Sequence, residues 1–147
     1  MVSRRSFIKK TALGSAALSL GHTSVFGSNL LMKTSHPNIS LAQWSLNRAF
    51  FKGELNPKDF PDIAKNSFDL NAVEYVNAFY KEFAKSEKYW NQLKSNSSAA
   101  GVRNLLIMVD DEGELGNPNN NERTQAIENH YKWINAAKLL GCHSIRV

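Results

Sequence analysis

Glu74 is the one charged residue in the apolar run Ala72-Val73-Glu74-Tyr75-Val76. A carboxylate among neighbours that cannot solvate it needs a partner or a ligand. Arg146, inside the later run Ser144-Ile145-Arg146-Val147, is a candidate partner. Its guanidinium can equally hold a ligand hydroxyl, carboxylate or phosphate. Asp110 opens an acidic triplet, Asp110-Asp111-Glu112, directly after the apolar run Asn104 to Val109. The triplet lacks the alternating order and glycine of a calcium loop, so a solvated turn competes with a binding role. Gln43 and Trp44 close the run Ile39 to Trp44. An aromatic ring at such a position either stacks on a ligand or packs at a rim.

Other reactive types read more plainly. His130 and His143 have no second ligand at metal spacing and are expected at the surface or at a helix end. Cys142 is the single cysteine; it excludes an internal disulfide, and with no basic activator nearby it reads as a small buried residue.

The elements that must position these groups repeat as strand then helix. Strands are expected at Ile39–Trp44, Ala72–Val76, Asn104–Val109 and from Ser144. Helices are expected over about 57–68, 86–100 and 122–140. Asn56, Pro57 and Asn119 supply N-terminal signals, and Gly101 and Gly141 supply stops. In the last helix Ile127, Tyr131, Ile134 and Ala137 fall at helical spacing and are expected to face inward. A strand-to-strand spacing of roughly 30 or more residues is one βα unit with a parallel crossover. No Gly-x-Gly-x-x-Gly follows the first strand, which removes the main support for dinucleotide binding. The fold class expected is α/β, a (β/α)8 TIM barrel of which about the first four units are present.

The chain has 147 residues, with 18 Lys and Arg against 13 Asp and Glu. Four of the basic residues, Arg4, Arg5, Lys9 and Lys10, lie in the first ten positions, leaving 14 against the 13 acids. So even a balance has no basic face for nucleic acid. Ser3-Arg4-Arg5-Ser6-Phe7-Ile8-Lys9 is a twin-arginine pattern, and a short, moderately apolar segment follows it. Residues 1–27 are therefore expected to be an export signal, with 28–147 as the folded part and a periplasmic or otherwise exported location.

The runs Leu41-Ala42-Gln43-Trp44-Ser45-Leu46, Ala72 to Asn77, Leu106 to Asp110, and Ala137-Lys138-Leu139-Leu140-Gly141-Cys142-His143-Ser144-Ile145-Arg146-Val147 resemble the sugar phosphate isomerase/epimerase family. These are the xylose-isomerase-like barrels, and the resemblance covers about Asn38 to Val147. It implies an isomerase or epimerase that moves protons beside a sugar carbonyl with help from a divalent metal (Mn, Mg, Co or Zn). It places the metal ligands and the catalytic acid and base beyond Val147, so this chain alone is expected to be inactive. Gln43, Trp44, Glu74, Asp110 and Arg146 then become candidates for one sugar-binding wall. Expected partners are the sugar, the twin-arginine export machinery and a homo-oligomer; neither nucleic acid nor a stable membrane anchor is expected. The alternatives are a non-catalytic carbohydrate-binding barrel and an endonuclease-IV-like phosphodiesterase. The latter would need several more metal ligands, including histidines at the ends of the second and third strands, where Tyr75-Val76-Asn77 and Val109-Asp110-Asp111 stand.

Overall fold

The computed structural model describes residues 38–147. The twin-arginine segment, and with it the expected signal over 1–27, lies outside the described residues. Four strands, β1 (Leu41–Ala42), β2 (Ala72–Val76), β3 (Arg103–Met108) and β4 (Ser144–Arg146), form one sheet in the order β1-β2-β3-β4. Every neighbouring pair is parallel. The α-helices are α1 (Asn47–Phe51), α2 (Phe60–Phe68), α3 (Glu87–Ala99) and α4 (Asn120–Leu140).

The caps formed as their residue types dictate. Asn56 accepts from the Lys58 N–H, Ser86 from that of Tyr89, and Asn119 from those of Asn121 and Glu122. Gly141 ends α4 at φ 80°, a left-handed conformation that costs glycine little. The first strand is shorter than expected. Only Leu41 and Ala42 pair with β2, and the chain then coils into a 3-10 turn over Gln43–Leu46. The reason is that the Gln43 side chain itself takes the hydrogen bond from the Val76 N–H.

A sheet whose strands follow chain order without reversal is singly wound. Right-handed crossovers then place every helix on the same face, and α2, α3 and α4 do pack side by side as one layer. Leu41, Val73, Tyr75 and Ile107 belong to the core beneath that layer, with Phe60, Trp90, Leu93, Trp133 and Leu140. Aligned residues of parallel strands share a face. Thus Ala42, Glu74, Leu106 and Ser144 form one row on the opposite face, and Val76, Met108 and Arg146 form the next.

The inner stripe of α4 differs from the sequence expectation. Ile127, Tyr131 and Ile134 are 42%, 50% and 44% exposed, whereas Ala126, His130, Trp133, Ala136 and Leu140 are buried and only Ala137 is shared. Trp133 fixes the rotation: its Nε1–H donates to Glu112 at 2.7 Å and its ring meets Trp90 edge-on at 6.3 Å. Small residues complete the contact. A Cβ at Gly113, where φ is 97°, would come within 3.0 Å of the Ala126 Cβ. His130 is correspondingly not a surface residue. It is 4% exposed, with Nδ1 2.6 Å from the Ala126 carbonyl oxygen. Among the described residues no helix is long and apolar enough to cross a membrane.

Candidate functional site

The C-terminal ends of the strands carry most of the candidate residues. At the exit of β1, Trp44 is 46% exposed. Its ring meets Phe51 edge-on at 6.1 Å and Phe79 at 6.5 Å, while Phe79 leans on buried Phe50 at 5.1 Å. Phe51 is exposed as well, and it lies 4.9 Å from Phe79. The result is an aromatic surface anchored in the core and open on one side. The sequence pointed to Trp44 but not to Phe51, which ends the five-residue helix α1, or to Phe79, which ends the 3-10 turn Asn77–Phe79; both segments are too short to show periodicity.

Gln43 has no exposed surface. Its Oε1 accepts from the Val76 N–H at 3.0 Å, and its Nε2 donates to the Tyr80 hydroxyl at 2.9 Å. That hydroxyl donates onward to the Pro57 carbonyl at 3.2 Å. Burial, partly offset by the Gln43 hydrogen bond, pushes the Tyr80 phenol well above its ordinary value. Gln43 therefore ties β1 to β2 and, through Tyr80, to the 3-10 turn Pro57–Asp59 that leads into α2, with both ends of its amide engaged.

Asn77 does the same between β2 and β3, and sequence reading passed over it. It is fully buried. Its Nδ2 donates to the Asp110 carbonyl at 2.8 Å, and its Oδ1 accepts from the Asp110 N–H at 3.1 Å. The signal in the sequence was an amide one residue beyond an apolar strand, where a turn residue gives the same pattern.

Asp110 is exposed at the end of β3. The other two acids of its triplet are engaged elsewhere. Asp111, at φ 63°, lies 3.5 Å from the Lys81 ammonium. Glu112 accepts from Lys132 Nζ and Trp133 Nε1, each at 2.7 Å, with its side chain only 10% exposed.

Glu74 is half-buried and accepts from the Ser40 hydroxyl at 2.5 Å. The ion pair with Arg146 that the sequence offered is not formed among the described residues. The two share a face of the sheet but stand in different rows, two strands apart. Arg146 is exposed, and its carbonyl accepts from the Val109 N–H at 2.8 Å.

Among the described residues, no three or more His, Cys, Asp and Glu side chains converge where one cation could be held. Two acids of the Asp110 triplet are taken up by Lys81, Lys132 and Trp133. Cys142 is half-buried, and burial pushes its thiol up to about 12. It is thus a poor nucleophile near neutrality.

No protein-family model matches the chain, and no curated protein matches it.

Proposed function

We propose that residues 38–147 form the first four βα units of a (β/α)8 barrel and supply one wall of a sugar-binding pocket. In that reading the complete protein is an exported isomerase or epimerase, with residues 1–27 as its twin-arginine signal. The observation that carries the reading is the strand order, β1-β2-β3-β4 in parallel with the helices in one layer. A doubly wound sheet reverses its order and covers both faces, whereas a barrel keeps one face inward. Ligands of barrels bind at the C-terminal ends of the strands. Those ends here hold the exposed ring of Trp44 and the carboxylate of Asp110.

Each part has a role that its chemistry fits. The Trp44 ring, continued by Phe51, offers a flat apolar surface to the C–H face of a sugar. Carboxylates accept from vicinal hydroxyls in charge-assisted hydrogen bonds, so Asp110 and Glu74 orient the ring. Arg146, on the same sheet face as Glu74, donates to a hydroxyl or an anionic group. Isomerisation or epimerisation beside a carbonyl further needs a base and an acid. The resemblance implies such a pair together with a divalent metal, and Gln43, Trp44, Glu74, Asp110 and Arg146 are not assigned to it.

The test is proton exchange on a ketose. The full-length protein, supplied with Mn2+ and D-fructose in D2O, should place deuterium on the carbon beside the carbonyl, read by NMR. Binding of the sugar without deuterium incorporation would instead favour a carbohydrate-binding barrel. Neither binding nor incorporation across the common ketohexoses would refute the reading.

A further inference from the structure

Resting on the sugar-pocket reading above, we propose that Asn77 is a positioning residue that holds Asp110 in place for the ligand. The β2–β3 ladder ends at Val76 opposite Met108. There β2 coils into the 3-10 turn Asn77–Phe79, and the backbone of Asp110 loses its strand neighbour on that side. The carboxamide of Asn77 takes that place. It presents one donor and one acceptor to the carbonyl and N–H of the same residue, at 2.8 and 3.1 Å. The ladder thereby gains a further rung made of a side chain.

What this rung fixes is the one carboxylate of the triplet left for other work. Asp111 is engaged by Lys81, and Glu112 by Lys132 and Trp133. The Asn129 Nδ2 also donates to the Glu112 carbonyl at 3.1 Å, so the turn is anchored on its far side as well. Asp110 lies between these anchors, exposed, with its backbone pinned and its carboxylate without a partner among the described residues. A binding group whose backbone is fixed before the ligand arrives loses less freedom on binding. Asn77 spends both ends of its buried amide on this one residue, as a positioning device must.

A double-mutant cycle in the full-length protein separates positioning from mere stabilisation. D-fructose affinity, by calorimetry, and melting temperature are measured for the parent, N77A, D110N and N77A/D110N. Asp110→Asn should weaken binding about tenfold, and Asn77→Ala by a similar factor. Because Asn77 acts through Asp110, the double variant should bind no worse than D110N alone, while the losses in melting temperature add. Asn77→Ala binding like the parent when D110N does not, or two losses that multiply in the double variant, would overturn the inference and leave the pocket standing. Asp110→Asn binding like the parent would overturn the pocket wall and the inference with it. Amide hydrogen exchange of the unaltered protein gives a reading that needs no variant to fold. The Asp110 N–H should exchange at least ~100-fold more slowly than that of Gly113, and equal rates would overturn the rung itself.

Discussion

Replacing Gln43 by leucine asks whether this residue serves the fold or the ligand. Leucine nearly fills the space of the buried side chain but offers no hydrogen bonds. The Val76 N–H, which now donates to Gln43 Oε1 at 3.0 Å, would be left without an acceptor in a buried setting. An orphaned buried donor costs about 1–3 kcal/mol. The Tyr80 hydroxyl would lose its 2.9 Å bond from Nε2, worth about 1 kcal/mol net, and would keep the one to Pro57. The total is roughly 2–4 kcal/mol, which for a body of this size lowers the melting temperature by roughly 8–16 °C. Thermal unfolding by circular dichroism reads this directly, and D-fructose affinity is measured on the same preparation. A melting temperature within about 2 °C of the parent would refute the assignment of Gln43 to the fold. If affinity fell while stability held, Gln43 would belong to the pocket wall after all.

Glu74→Gln keeps an oxygen for the Ser40 hydroxyl and removes the charge. Melting should therefore shift by less than about 1 kcal/mol in stability while D-fructose affinity falls about tenfold, and unchanged affinity would take Glu74 out of the wall. Tyr75, Tyr80, Tyr89 and Cys142 all hold their protons more tightly in the fold, because burial penalises their anions. Stability should be intact below their ordinary values of 9.0 for the thiol and 10.0 for the phenols, then fall towards pH 12, where Tyr89 and Cys142 titrate in the fold. A urea midpoint that stays flat across that window would refute it. Burial disfavours the native Cys142 thiolate at pH 8, so iodoacetamide should label it far more slowly than after unfolding, and equal rates would refute its burial. Arg4→Lys together with Arg5→Lys should keep the protein in the cytoplasm of a host with twin-arginine export, and undiminished recovery outside the inner membrane would refute the signal.

The strand order and the three longer helices could be read from the sequence because caps and periodicity agree there, whereas the five-residue helix α1 was not expected. Ser86, Asn119, Gly101 and Gly141 mark boundaries where they stand, and Ala72–Val76 is a strand from end to end. The rotation of α4 could not be read in that way. Ile127, Tyr131 and Ile134 make one acceptable apolar stripe; Ala126, His130, Trp133 and Leu140 make another. The choice is made by contacts distant in sequence, Glu112 on the Trp133 indole and Trp90 against its ring. Periodicity counts apolar residues without knowing that an indole N–H has found an acceptor. The candidate site was legible in the same uneven way. Trp44 and Asp110 stand exposed at strand ends, whereas Asn77 was hidden because its role consists of two bonds to a residue 33 positions away. The Glu74–Arg146 pair looked natural from charge alone, but register places the two in separate rows.

The ties that hold the rim of the sheet, Gln43 to Val76 and Asn77 to Asp110, are carboxamides. Amides neither gain nor lose a proton anywhere in the range a cell or its surroundings reaches. Had aspartate or histidine filled these places, the spacing of the strand ends would loosen or tighten with acidity. As built, these two ties hold alike in acid and in neutral medium. The strand ends that Gln43 and Asn77 join are thus held by bonds that acidity leaves untouched.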